Sequence, residues 1–283
     1  MSYEQYSPSG FRVLPPVVKN ILIINIILFV ATISLSKSMR IDLTDILGLH
    51  YFGSGKFQPY QIISYMFMHG SISHIFFNMF AVWMFGNALE NVWGPKRFLL
   101  YYLVTGIGAA ITHYFVMYFV DITPVLEPIN TFLANPSLAG FSDFINSNNF
   151  SIISVEVQNR FNELLPQYND MLRTNPDKAL QMAVDFMVFY RSEFLSAPVV
   201  IGASGAVFGI LLAFGMLFPN SLIYLYFAIP IKAKWFVIIY GAIELYAGIT
   251  NKGSNVAHFA HLGGMLFGFF LIWYWRKRTR YFQ

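Results

Sequence analysis

Windows of about 20 apolar residues, the length an α-helix needs to cross a bilayer's hydrocarbon core, recur six times along this chain. They cover residues 17–35, 72–92, 98–120, 199–218, 235–249 and 256–275. Between them they leave little sequence for a water-soluble surface. Only 11% of the 283 residues are charged and 56% are hydrophobic, against roughly 25% charged in ordinary soluble domains. Lipid is therefore the expected solvent for most of the chain, and the fold class that follows is an all-α membrane protein, a six-span helical bundle. The net charge of +4 is modest, and no basic patch with interleaved aromatics points to nucleic acid as a partner. With no cysteine, disulfides, thiolate metal sites and thiol catalysis are excluded together.

The first span follows a polar segment, residues 1–16, and lacks a small-residue cleavage site, so it is expected to be a retained helix. Orientation follows from the basic residues, which stay on the cytoplasmic side during insertion. With the N-terminus inside, Arg12, Lys19, Lys96, Arg97, Lys232, Lys234 and the tail 276–283, with Arg276, Lys277, Arg278 and Arg280, all fall inside. The short outer loops hold Lys37, Arg40, Lys56 and Lys252. Both termini are thus expected in the cytoplasm, with Trp273, Tyr274 and Trp275 as an interfacial anchor. A bacterial plasma membrane is the expected location.

Two connections are more than loops. Residues 36–61, within the 17–120 block of spans one to three, carry scattered apolar side chains and are expected to lie partly in the outer interface. Residues 121–197, before the 198–275 block of spans four to six, far exceed the usual connection of about 4 to 6 residues and form an outer accessory insertion. Its first half, with Pro124, Pro128, Pro136 and Gly140, is expected to be irregular. Its second half has the pattern of two helices, one over 155–165 that breaks at Pro166 and one that starts at Asn175-Pro176-Asp177 and runs over 178–195. The sequence contains no internal repeat.

Polar and ionisable groups inside spans are costly and so are functional candidates. The second span holds His74 and Asn78, four residues apart and so on one helix face. The fourth opens with Gly202-Ala203-Ser204-Gly205 and the sixth with His258-Phe-Ala-His261-Leu-Gly-Gly264. These three spans run in the same direction, and Asn78, Ser204 and His261 lie one to two turns past their outer ends, roughly 5–10 Å deep at 1.5 Å per residue. A serine nucleophile needs a base within hydrogen-bond reach and donors aimed at the developing oxyanion. Ser204 supplies the hydroxyl, His261 the base, and Asn78 and His74 the donors. Gly202, Gly205, Gly209 and Gly264 remove bulk where these helices approach.

The stretches His74-Ile-Phe-Phe-Asn78, Gly202-Ala-Ser204-Gly205 and Ala260-His261-Leu-Gly-Gly264 resemble, in order and placement, the rhomboid family of intramembrane serine proteases. The resemblance covers about 17–275 and implies a Ser204/His261 dyad with no acidic third member. It also implies oxyanion stabilisation by Asn78, His74 and the Ser204 backbone N–H, and hydrolysis of peptide bonds in or near the membrane spans of protein substrates. The partners implied are transmembrane proteins and the lipid bilayer; no cofactor or metal is implied. Phe208 falls where the family often packs an aromatic ring on the base. The chain departs from the pattern at Tyr60-Gln61, where many members have Trp-Arg, and in the 121–197 insertion.

Some polar residues are left over. His69 is assigned to structure, His258 lines the same opening as His261, and Glu90 pairs with polar or backbone groups at the inner end of span two. Glu244 is the one carboxylate well inside a span. Two alternative functions stand beside the protease: a catalytically inactive rhomboid-like client-binding protein, and a proton-coupled transporter using Glu244, His258 and His261.

Overall fold

The structure, a computed structural model, describes residues 12–225, 228–250 and 256–280. Residues 1–11, Lys252, the side chains of Arg278 and Arg280 and the tail end 281–283 lie outside the described residues. Helix α1 (Pro16–Met39) leads through α2 (Leu43–Leu47), β1 (Leu49–His50) and α3 (Gln61–Ser64) to α4 (Ile72–Ala81). A π-helical turn, Val82–Gly86, joins α4 to α5 (Asn87–Trp93), and another, Tyr118–Ile122, joins α6 (Pro95–Met117) to α7 (Thr123–Ala134). Helices α8 (Leu138–Ile145), α9 (Val155–Thr174) and α10 (Pro176–Ser196) follow, then β2 (Val199–Val200) and α11 (Ser204–Leu217). A hairpin, β3 (Leu222–Leu225) with β4 (Ile229–Lys232), leads to α12 (Ala233–Thr250) and α13 (His258–Arg280).

The chain divides into two compact units, one of residues 1–48, 60–113 and 201–283, the other of residues 49–59 and 114–200. In the first, α1 turns Ile23, Ile26, Ile27 and Val30 outward, and α12 does the same with Ile238, Ile239, Ile243 and Ile249. Apolar faces this extensive suit a lipid solvent. Among the described residues, four helical stretches are long and apolar enough to cross a membrane: Pro16–Met39, Ile72–Trp93, Pro95–Ala134 and Ala233–Thr250. The fourth and sixth expected spans form α11, 14 residues long, and α13, 23 residues long. No residue of α11 is exposed, so this helix, hydrophobic all round, is the centre of the unit.

Helix ends follow local chemistry. Pro16 begins α1 at the position where a missing N–H costs nothing. The next free donors, Val17 N–H and Val18 N–H, are taken by the buried Glu90 carboxylate at 3.0 and 2.8 Å, as favoured at the positive end of a helix dipole. Span two starts at Ser71, whose hydroxyl accepts from the His74 N–H at 3.1 Å. It stops at Gly94, which has φ 79°, and Pro95 starts α6 at once, the usual order of glycine at a helix end and proline at a start. The connection after α1 is held by Gln61 Nε2, which donates to the Ile46 carbonyl at 3.1 Å, and by Ser64 Oγ, which donates to that of Leu47 at 2.7 Å. Gln61 is buried while Tyr60 is exposed.

The second unit has its own core, in which Phe141, Phe144, Phe186 and Tyr190 pack with Ile129, Phe132 and Ala183 from α7 to α10. Two expectations fail here. The first half of 121–197 is helical, not irregular: Pro124 sits in the first turn of α7, where proline is tolerated, and Pro128 lies inside it. Helix α9 also runs on through Pro166 instead of breaking there. The aromatic face that α7, α8 and α9 bury offsets the one backbone bond each internal proline removes. The fourth span, expected from 199, starts instead at Ser204, because Val199 and Val200 pair antiparallel with His50 and Leu49 as β2 and β1.

Candidate active site

The chain enters α11 through a turn that only glycine makes without strain. Gly202 has φ 122°, and a Cβ there would lie 2.8 Å from Nε2 of His74. Its N–H donates to the Tyr65 carbonyl at 2.9 Å, which fixes the turn. Ser204 is therefore the first residue of α11, and Ala203 before it supplies no side-chain cap. The first backbone donor bonded within the helix is Val207 N–H, to Ala203. The N–H groups of Ser204 and Gly205 stand at the start of α11, the positive end of the helix dipole.

His261 lies one turn into α13. Its Nε2 is 2.9 Å from Ser204 Oγ, within the reach a general base needs. Phe208, one turn after Ser204, stacks flat on the imidazole with centroids 4.2 Å apart and planes 5° apart, and Tyr240 packs on Phe208 at 4.9 Å. Backbone contact between α11 and α13 makes this possible: a Cβ on Gly264 would overlap the Gly205 carbonyl, and one on Gly205 would overlap Ala109 of α6. One turn further along, a Cβ on Gly209 would lie 2.6 Å from Thr105 Cβ. The Tyr101 hydroxyl donates to the Gly209 carbonyl at 2.8 Å, tying α11 to α6.

The structure brings His74 to the same point, since its Nε2 is the atom a Gly202 side chain would meet, with Ser204 Oγ next. Asn78 is buried one turn deeper, and its Nδ2 donates to the His74 carbonyl at 3.0 Å. An amide nitrogen has two N–H groups, so this bond leaves one for another acceptor. His69 meets His74 edge to face at 4.8 Å and is 2% exposed. Burial, and secondly the charge of His74, push its pKa down to about 3, which favours the neutral ring.

Behind His261, away from the serine, stands Glu244 of α12. Its Oε2 accepts from Nδ1 of His261 at 2.8 Å and from Nδ1 of His258 at 2.7 Å. Ser204, His261 and Glu244 thus form a continuous hydrogen-bonded line, with His258 as a second donor to the carboxylate.

A family model described as the Rhomboid domain matches residues 56–172 and 178–278, most of the chain. The chain belongs to the rhomboid family. Relatives of this rhomboid chain include Rhomboid protease GluP of Bacillus subtilis, 36% identical over 55 residues, which are 19% of this chain and 11% of that protein. Rhomboid protein 1, mitochondrial, of Saccharomyces cerevisiae is 36% identical over 78 residues, 27% of this chain and 22% of the relative. RHOMBOID-like protein 12, mitochondrial, of Arabidopsis thaliana is 25% identical over 218 residues, 77% of this chain and 46% of the relative. The aligned stretches thus span less than half the length of each of these relatives. The rhomboid chain is an integral membrane protein, and its family is one of intramembrane proteases and inactive relatives.

The sequence places His258 at the same opening as His261 and groups Glu244 with both only in the transporter alternative; the rhomboid resemblance implies no carboxylate behind the base. A signal was present. Ala233, Val237 and Glu244, the buried residues of α12, recur at helical spacing, and His258 and His261 share a face of the next span.

Proposed function

We propose that this rhomboid protein is an intramembrane serine endopeptidase that cleaves transmembrane proteins in or near their membrane spans. The observation that carries the reading is the 2.9 Å approach of His261 Nε2 to Ser204 Oγ on α13 and α11. In the proposed mechanism Ser204 Oγ attacks the scissile carbonyl as His261 takes its proton. The oxyanion is met by the Ser204 N–H, by His74 with its proton on Nε2, and by the free N–H of Asn78. His261 then protonates the leaving amine, and a water deprotonated by His261 hydrolyses the acyl-enzyme, returning the proton to Ser204. Stabilising the oxyanion with fixed donors is commonly the largest single contribution to such a rate.

Gly202, Gly205, Gly209 and Gly264 serve this reading by close packing, which keeps the nucleophile and the base in register. The second unit is assigned an accessory role in substrate access. The excess of Lys and Arg beside the inner ends supports both termini on the cytoplasmic side. The relatives come from a bacterium and from mitochondria, so the reading keeps this sidedness and not the bacterial plasma membrane.

A second reading has one observation in its favour: Glu244, His258 and His261, the groups a proton path would use, do touch. The experiment that separates the readings is incubation of the purified protein with a single-span test substrate, beside Ser204→Ala. Cleavage by the wild type and none by Ser204→Ala is expected. Proton flux in liposomes without any cleavage would favour the transporter, and client binding with neither activity would favour the inactive homologue.

A further inference from the structure

We infer that Glu244 is the third member of the catalytic group, a positioning carboxylate that makes this site a Ser204–His261–Glu244 triad. The inference rests on the serine-protease reading and deepens it. Three observations carry it. Glu244 is one of only three buried residues that α12 has, on a helix whose other faces are largely open to lipid, so the carboxylate is turned inward against the helix's own apolar character. A carboxylate withdrawn from water must have hydrogen-bonding partners, and those found are the Nδ1 atoms of His261 and His258, both on Oε2. Finally, the bond to His261 is made by the nitrogen opposite the one that faces Ser204.

The chemical consequence follows from the imidazole. A neutral ring carries one proton, and only the Nδ1–H tautomer leaves Nε2 with a lone pair for the Ser204 proton. An acceptor fixed at Nδ1 selects that tautomer, sets the ring plane, and stabilises the imidazolium formed when Nε2 takes the proton. Phe208, stacked on the ring face, fixes the remaining rotation. His258 donates to the same oxygen and holds the carboxylate in place. In the proton account, Oγ loses its proton to Nε2, Nδ1 keeps its own, and Glu244 remains ionised throughout.

The same three side chains are the one cluster with metal-ligand character among the described residues, and the spacing decides between the two uses. Ligand atoms about 2.0–2.1 Å from a tetrahedral zinc sit roughly 3.3 Å apart, whereas these oxygen–nitrogen pairs lie at 2.7 and 2.8 Å. Those are hydrogen-bond distances.

The test uses the full-length protein in detergent with a single-span substrate. Glu244→Gln is expected to lower kcat by about 10²–10⁴-fold, the range for losing a correctly presented base, with KM changed less than threefold. Glu244→Asp should recover part of the loss. Wild-type activity should be indifferent to EDTA. A measurement on the wild type guards against a variant that does not fold: 15N NMR of histidine-labelled protein, with His261 assigned by the signal lost in His261→Gln. It should show neutral His261 protonated on Nδ1. A proton on Nε2, or a folded Glu244→Gln with kcat within twofold of wild type while Ser204→Ala is dead, overturns the triad and leaves the protease reading intact. Activity lost to EDTA and restored by zinc overturns it in favour of a metal site. Cleavage retained by Ser204→Ala removes the protease reading and the triad with it.

Discussion

Gly209→Ala probes whether close packing sets the catalytic geometry. The added Cβ would lie 2.6 Å from both Cβ and Cγ2 of Thr105, and ordinary contact begins at 3.4 Å. Thr105 cannot swing away. Its Cβ is fixed by the backbone of α6, and its hydroxyl is bonded to the Tyr101 carbonyl at 2.8 Å. Helices α6 and α11 must therefore part by about 0.8 Å, the difference between those two separations. Overpacking of this kind costs about 1–3 kcal/mol, and the better helix propensity of alanine returns up to ~1 kcal/mol. A net loss of about 1–2 kcal/mol is expected, together with a weakened bond from Tyr101 to the Gly209 carbonyl. Ser204 rides on the same helix five residues earlier, and a displacement near 1 Å at a reacting group can reduce turnover by about 10²-fold. The assay is thermal unfolding in detergent together with kcat on a single-span substrate, for Gly209→Ala, Thr105→Gly and the double variant. The double variant should regain both stability and turnover relative to the sum of the singles, a coupling of about 1 kcal/mol or more. Wild-type melting and turnover in Gly209→Ala, or strictly additive effects, would refute the steric reasoning.

Three other outcomes follow from the same geometry. Asn78→Ala should lower kcat by roughly 10²–10³-fold, the cost of one oxyanion donor; a steady-state assay showing wild-type kcat in the folded variant would remove Asn78 from the site. Glu90→Ala strips the carboxylate from Val17 N–H and Val18 N–H, and at about 1.5–3 kcal/mol for each charged hydrogen bond should visibly lower the melting temperature. Circular dichroism against temperature checks it, and an unchanged melt would show that α1 is held otherwise. Replacing residues 124–191 with a Gly/Ser linker should leave cleavage of a small single-span substrate within tenfold of wild type and alter selectivity among larger clients. A folded, probe-reactive but inert product would instead make the second unit part of the catalytic apparatus.

The membrane helices were legible because lipid demands long uninterrupted apolar runs, and five of the six expected stretches begin within about three residues of a helix start. The fourth was displaced because apolar content cannot distinguish Val199 and Val200 in a strand from the same residues in a helix; the turn at Gly202 is the boundary. The site was legible to the extent that its residues carry polarity into spans: Ser204, His261 and His74 converge. Asn78 shares the face of His74 and bonds its carbonyl, but the direction of its amide is a rotamer choice that spacing does not fix. Pro128 and Pro166 lie inside helices because the aromatic core that α7 and α9 help to bury overrides the local backbone rule. Glu244, His258 and His261 are legible as one set of polar groups, but that the carboxylate bonds the base of Ser204 depends on how α12 packs on α13. A carboxylate buried in an apolar helix, with two histidines in the next span, is a pairing that the energetics of burial favour.

The central claim is that Ser204 is a nucleophile activated by His261, and labelling with a fluorophosphonate followed by peptide mass spectrometry tests it most directly. The account predicts one adduct, on Ser204, formed by the wild type and lost when either Ser204 or His261 is replaced by alanine. An adduct on another residue, or undiminished labelling of Ser204 in the folded His261→Ala protein, would contradict it.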